Sequence, residues 1–152
     1  MRRFGTLALA SLFLVPAAFA SDSDTHSVTV TVETIDELAV TGDVTLTINS
    51  SDALSDSDSS STIDWSTNQS DRKITVETNL TEPTFSLSVS ATGATGGTGA
   101  TDVLLSATPQ DIVTALAAGS GGATLNYTAT AELSDGSDSE MHTVTYTVAA
   151  TD

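Results

Sequence analysis

Two stretches near the end of the chain decide the fold: residues 125–130 read LNYTAT and residues 144–148 read VTYTV. In both, apolar or aromatic side chains alternate with polar ones. This period of two is typical of a β-strand with one dry face and one wet face. The turn-forming segment SDGSDS at 134–139 lies between them. The pattern predicts a hairpin in which Tyr127 lies opposite Tyr146 on the dry face.

The same alternation recurs along the whole chain. Residues 28–32 read VTVTV, residues 44–48 read VTLTI and residues 85–89 read FSLSV. Threonine suits the exposed face of a strand because it is both β-branched and polar. We therefore predict strands at 26–35, 38–41, 43–49, 62–68, 73–79, 84–91, 102–106, 123–133 and 140–149. A second hairpin is predicted around residues 68–72, with a Ser/Asp loop at 50–61.

One segment does not alternate. Residues 108–116 read TPQDIVTAL, with Thr108 as a candidate N-cap and Pro109 at the first helical position. Ile112, Val113 and Leu116 would share one side of a helix. The sequence therefore predicts one short helix near 109–117.

Together these elements predict an all-β protein. Many short strands without βαβ alternation favour a single immunoglobulin-like or jelly-roll-like β-sandwich of about seven to nine strands. Trp65, Tyr127 and Tyr146 are the expected aromatic core residues.

The first twenty residues have the features of a secretory signal peptide. Arg2 and Arg3 precede an apolar run at 7–15, and small residues, Ala18 and Ala20, stand at the −3 and −1 positions of the expected cleavage site. The run is too short to span a bilayer, which needs about 20 residues. We expect export by the general secretory route, an acidic β-sandwich domain at 21–152 without a transmembrane segment, and an extracellular or cell-surface location.

Charge and cysteine content narrow the function further. The formal net charge is −16, and after residue 20 only Arg72 and Lys73 face all twenty acidic residues, which leaves −18. Binding to nucleic acid or anionic lipid depends on Lys and Arg and is therefore not expected. The absence of cysteine excludes disulfides, thiol catalysis and Cys-based metal sites.

The sequence offers little catalytic chemistry. Its two histidines, His26 and His142, lie far apart, and neither a GxSxG nor an HExxH motif is present. Only four aromatic residues follow the leader, too few for a sugar-binding cleft with paired carboxylates. We predict that the protein is not an enzyme.

Calcium is the one cofactor that the sequence suggests, and only as a weak site. Flexible loops that supply many oxygen ligands are typical of calcium sites, and two predicted loops here are rich in acidic residues and serine. The candidate ligands are Asp52, Asp56, Asp58, Asp135, Asp138 and Glu140. The glycine and terminal glutamate of an EF-hand loop are missing, and the alternative interpretation is two solvated acidic loops.

The segment 21–35 suggests how such a protein could work. It places Val28, Val30 and Val32 on one face of an alternating strand directly after the leader. Such a strand can close its own sheet or add to the open edge of a neighbouring subunit. We expect a secreted structural protein of a filament, matrix or surface layer that assembles with copies of itself. The alternative is a monomeric extracellular binding module, adhesin-like or calcium-binding, that uses its Ser/Asp loops.

The mature chain resembles small secreted Ser/Thr-rich β-sandwich proteins of bacterial or archaeal surfaces, including fimbria-like subunits. The resemblance is carried by the VTVTV opening at 28–32, the 108–116 segment and the closing VTYTV at 144–148. It implies assembly or display outside the cell, and no site residue transfers from it.

Overall fold

The computed structural model describes Ser23 and residues 25–151, so the predicted signal peptide at 1–20 lies outside the described residues. The described residues up to Val32 belong to a separate unit from the compact unit that begins at Glu33. The described part of that unit contains nine strands and one short 3-10 turn, Leu133–Asp135. The strands are β1 (Asp36–Thr41), β2 (Ser55–Thr67), β3 (Arg72–Thr78), β4 (Ser86–Thr95), β5 (Thr98–Gly99), β6 (Val103–Leu104), β7 (Gln110–Leu116), β8 (Gly119–Thr130) and β9 (Val144–Ala150).

The strands form two antiparallel sheets packed face to face. The first has the order β1-β2-β8-β4-β6, and the second has the order β5-β7-β3-β9. The all-β sandwich predicted from the alternation is therefore confirmed. Both sheets contribute fully buried side chains to one core: Ile63, Val89 and Leu125 from the first, Ile74, Val76 and Ile112 from the second.

The predicted hairpin of residues 125–148 is wrong, although its two tyrosines do meet. β8 lies between β2 and β4, whereas β9 pairs with β3 in the opposite sheet. Tyr127 and Tyr146 therefore approach from facing sheets, and their hydroxyl oxygens are 2.6 Å apart. The alternation correctly gave the inward face of each strand, but it carries no information on which strand is the partner.

The predicted helix near 109–117 is also wrong, because these residues form β7. Its pairing with β3 shifts register twice, between Arg72 and Ile74 and again between Ile74 and Thr75. Ile112 and Val113 are adjacent in sequence and both fully buried, as is Leu116. An irregular strand that turns two successive residues inward imitates the spacing of a helix face.

The Ser/Asp segment predicted as a loop is in part a strand. Residues 55–61 form the first half of β2 and pair with β8, with a register shift between Asp58 and Ser61. These residues are all serine or aspartate, so no apolar pattern marks the strand. Ser61 is nevertheless buried, and its hydroxyl donates a hydrogen bond to the carbonyl of Thr41 at 2.8 Å.

Two predicted strands carry no strand assignment. Residues 43–49 pair with no sheet, although Val44 and Leu46 pack against the core. Residues 25–35 are likewise outside any strand, and every one of them is exposed. The predicted 68–72 hairpin is wrong for the same reason as the later one, since β2 and β3 belong to different sheets.

Candidate assembly surface

The segment before β1 exposes an apolar stripe. Val28, Val30 and Val32 are 73%, 81% and 74% exposed, and the structure assigns residues 25–35 to no strand. A single exposed valine is ordinary, but three in strict alternation form a strand-like face without a sheet. These are the residues that the sequence proposed as an assembly strand.

The backbone directly before β1, at Glu33–Ile35, is held by hydrogen bonds to Asn68. The Asn68 amide nitrogen donates to the Glu33 carbonyl at 2.7 Å, and its amide oxygen accepts the Ile35 N–H at 3.0 Å. The Asn68 backbone N–H also donates to the Ile35 carbonyl at 3.1 Å. These three hydrogen bonds hold the start of β1 to the end of β2.

Beside this point, an ion pair ties β1 to the second sheet. The Asp36 carboxylate accepts a hydrogen bond from Thr67 at 2.7 Å and lies 2.9 Å from Arg72 Nε. The Thr67 hydroxyl and the Arg72 guanidinium hold the pKa of Asp36 below its ordinary value, against a smaller opposing effect of desolvation. Arg72 is the first residue of β3, so the contact bridges the two sheets.

β9 is an edge strand with regular geometry. It pairs with β3 over seven consecutive residues without a register shift. Thr145 and Thr147 are exposed, while Val144, Tyr146 and Val148 are half-buried and pack against the core. Burial raises the pKa of both tyrosines, and the hydrogen bond between their hydroxyls partly offsets this for Tyr127.

A cleft of about 1020 Å³ opens beside β9. Its apolar lining includes Val44, Leu46 and Ile48 from the segment after β1, together with Val144 and Tyr146. The segment between β8 and β9 supplies a polar border that includes Glu140 and His142.

Glu140 fastens this border to the start of β4. Its carboxylate accepts the backbone N–H groups of Thr84 at 2.5 Å and Phe85 at 3.3 Å. Desolvation works against ionisation, but these N–H groups and the neighbouring His142 bring the pKa of Glu140 below its ordinary value. His142 Nε2 is 3.6 Å from the carboxylate, and its Nδ1 is 3.0 Å from the Thr78 hydroxyl.

The six proposed calcium ligands do not converge. Within residues 25–151, no three His, Asp or Glu side chains lie close enough to hold a metal ion. Most of the six carboxylates instead accept local hydrogen bonds: Asp56 from the Thr47 N–H, Asp58 from Ser60, Asp135 from the Glu132 N–H, Asp138 from the Ser139 N–H and Glu140 as above. Asp52 is exposed. Among the described residues the structure therefore does not bring the six candidate ligands into one site: Asp56 and Asp58 lie in β2, and Asp135, Asp138 and Glu140 lie between β8 and β9.

The remaining candidates take simple positions. Trp65 and Tyr127 are 3% and 7% exposed, and Tyr146 is half-buried. The Trp65 indole covers Gly121, where an added Cβ would lie within 2.6 Å of the ring. His26 is exposed, in a different part of the chain from His142.

Three features of this surface were missed by sequence reasoning. The Asn68 contacts and the Glu140 contacts have no local signature, because their partners are 33 to 56 residues away. The edge position of β9 was hidden by the incorrect hairpin. One signal was visible, since residues 144–150 contain neither a charged residue nor proline.

Comparison with protein-family models, curated proteins and solved structures finds no match. In the part of the chain that the structure describes, no helix is long and apolar enough to cross a membrane. The function is therefore inferred from the chain's own geometry.

Proposed function

We propose that the protein is a secreted structural subunit that assembles with copies of itself by β-strand addition. The segment 21–35 of one copy is the donor, and a sheet edge of the next copy is the acceptor. The signal peptide predicted at 1–20 supports a location outside the cell, and the proposed assembly is a filament, matrix or surface layer. No catalytic step and no cofactor are part of this function.

The observation that supports the proposal is the exposed stripe of Val28, Val30 and Val32. A strand has no internal hydrogen bonds, so an alternating segment gains its stability only from a neighbouring strand. Burying a valine side chain contributes about 1.5 kcal/mol or more. Three such side chains, combined with a backbone ladder, provide a driving force for addition to another subunit.

The hydrogen bonds of Asn68 to Glu33 and Ile35, directly after the valine stripe, are consistent with the proposed donor segment. The Asn68 contacts hold Glu33 and Ile35 to the end of β2, so these residues stay with their own subunit.

The test compares light scattering and electron microscopy of the mature protein, residues 21–152, with a triple variant, Val28→Thr, Val30→Thr and Val32→Thr. The variant keeps chain length and β-branching but removes the apolar stripe. The matched control, Thr29→Ser and Thr31→Ser, changes only the intervening positions. We expect large species from the mature protein and the control, and a monomer from the triple variant.

A deletion of residues 21–32 provides the second comparison, since it leaves the Asn68 contacts in place. It should abolish assembly without lowering the melting temperature of the monomer. A mature protein that is monomeric at all concentrations would overturn the structural proposal and favour the monomeric binding module. Assembly that survives both the deletion and the triple variant would show that another surface drives it.

A further inference from the structure

The two sheets end in four edge strands among the described residues: β1 and β6 in the first sheet, β5 and β9 in the second. β5 and β6 have only two residues each and offer almost no ladder. β1 has six residues but begins with Asp36 and Glu37. β9 has seven residues and carries no charge.

Natural sheets protect their edges with charges, prolines, bulges or short strands. β9 uses none of these. Its sequence is VTYTVAA, and its pairing with β3 shows no register shift. By these criteria it is the least protected edge of the sandwich.

The register of β9 shows which backbone groups face outward. Thr143 and Thr151, the residues on either side of β9, are each hydrogen-bonded to the chain that contains β3. The Asn79 N–H donates to the Thr143 carbonyl, and the Thr151 N–H donates to the Asp71 carbonyl. Hydrogen-bonded and non-hydrogen-bonded pairs alternate along an antiparallel ladder. The backbone groups of Val144, Tyr146, Val148 and Ala150 therefore point away from β3. No described strand pairs with that side.

The side-chain pattern of this edge matches residues 28–32. β9 directs Val144, Tyr146 and Val148 inward and exposes Thr145 and Thr147. A strand VTVTV added in phase would place its three valines beside those inward residues, at the cleft. Its two threonines would lie on the exposed face, and a shift of one residue would reverse both faces.

We propose that residues 28–32 of one copy add as a strand to the outward edge of β9 in a second copy. This inference rests on the proposed function and names its acceptor. Donor and acceptor are both uncharged. Strand addition therefore juxtaposes no like charges between two subunits that are otherwise strongly acidic.

The absence of cysteine makes the acceptor testable by directed disulfide formation. One population carries Thr29→Cys in the donor segment. A second population, with an affinity tag that changes its mass, carries one cysteine in an edge strand: Thr145→Cys or Thr147→Cys in β9, or Ala39→Cys in β1 as the matched control. All three acceptor positions are exposed. The populations are mixed under assembly conditions, oxidised and separated by mass without reductant.

A disulfide forms only when the two Cα atoms come within about 7 Å. We expect mixed disulfide dimers from at least one β9 position in severalfold excess over the β1 position. The Val28→Thr, Val30→Thr and Val32→Thr changes, added to the donor copy, should remove that excess.

The outcomes separate this inference from the proposed function. Assembly that depends on the valine stripe but links to β1, or equally to both edges, overturns the β9 acceptor and leaves strand addition standing. If the mature protein forms large species but neither β9 position gives mixed disulfide dimers, the β9 acceptor is likewise overturned. A mature protein without large species overturns both proposals, and light scattering detects this without any cysteine variant.

Discussion

Residues 28–32 and β9 have nearly the same sequence pattern and opposite surroundings. The first reads VTVTV and the second begins VTYTV. In β9 the side chains of Val144, Tyr146 and Val148 are half-buried, and β3 supplies a hydrogen-bonded ladder. In residues 28–32 all side chains are exposed and no strand is assigned. An alternating sequence thus defines a strand-competent segment, and only a partner makes it a strand.

Residues 44–48, which read VTLTI, are an intermediate case. Val44 and Leu46 pack against the core, but the structure assigns the segment to no strand. An alternating segment can therefore bury one face against the core without pairing its backbone with a strand. Residues 28–32 have neither, 44–48 have the first and β9 has both.

Alanine substitutions should give the largest difference between the two kinds of segment. Tyr127 is 7% exposed and contacts Tyr146 of β9, so Tyr127→Ala should lower the free energy of unfolding by about 3–5 kcal/mol. Val30 is 81% exposed, so Val30→Ala should change monomer stability by less than about 0.5 kcal/mol. Urea unfolding measures both values. Tyr127→Ala is measured in the variant lacking residues 21–32, which we expect to be monomeric, and Val30→Ala in the mature chain at low concentration.

Tyr127→Phe separates the ring from the hydroxyl. This substitution keeps the buried ring and removes one hydroxyl of the 2.6 Å hydrogen bond, so it should lower the free energy of unfolding by about 1 kcal/mol. A loss below about 1 kcal/mol for Tyr127→Ala would contradict a buried ring that joins the two sheets.

The residues that hold the backbone before β9 and before β1 differ in charge, so their contributions to stability should depend differently on pH. The segment before β9 is held by the Glu140 carboxylate, which accepts the Thr84 N–H. The backbone before β1 is held by the neutral side-chain amide of Asn68, which accepts the Ile35 N–H. The pKa of Glu140 is lowered below its ordinary 4.5 in the folded protein. A lowered folded-state pKa contributes stability above the ordinary value, and this contribution is lost as pH falls through the folded-state pKa.

Glu140→Gln should therefore be less stable than the wild type at pH 7, and the difference should shrink as pH falls below 4.5. Melting temperatures of both proteins between pH 7 and pH 3 measure this. Glu82→Gln, at an exposed position, controls for the loss of one negative charge. A difference between Glu140→Gln and wild type that is independent of pH would show that the carboxylate charge does not fasten the segment.

The sequence predicts local features of this molecule much better than its connections. Alternation correctly predicted an all-β sandwich and the inward position of Trp65 and Tyr127, since side-chain direction is a property of each strand. Pairing partners depend on residues far apart, so both predicted hairpins were wrong. β7 was misassigned because its irregular pairing buries two neighbours, and the first half of β2 was missed because it contains only serine and aspartate.

The candidate site shows the same division. The valine stripe is local and was recognised, whereas the open edge of β9 is a consequence of topology. The six candidate calcium ligands do not converge among the described residues, because residues that are close in sequence need not direct their side chains to one point. Acidic side chains that are close in sequence instead accept different backbone N–H groups, as Asp56 and Asp58 of β2 do.

Salt should have the smallest effect and should act on the sandwich and the donor segment in different ways. The chain after residue 20 has twenty acidic residues against Arg72 and Lys73. The Debye length shortens from about 30 Å at 0.01 M salt to about 3 Å at 1 M, so self-repulsion within the folded domain weakens. The melting temperature of the monomeric deletion variant should therefore rise with NaCl, and a flat response would contradict destabilisation by net charge.

The same screening should favour assembly of the mature protein, because two acidic subunits must approach each other. Residues 28–32 and β9 carry no charge of their own, so salt would act on the approach of the two domains and hardly on the strand contact itself. Stopped-flow light scattering distinguishes the two. We expect NaCl to raise the association rate of mature protein and to leave the dissociation rate of preformed species nearly unchanged. A dissociation rate that falls steeply with salt would place charged groups in the contact and exclude the pairing of residues 28–32 with β9.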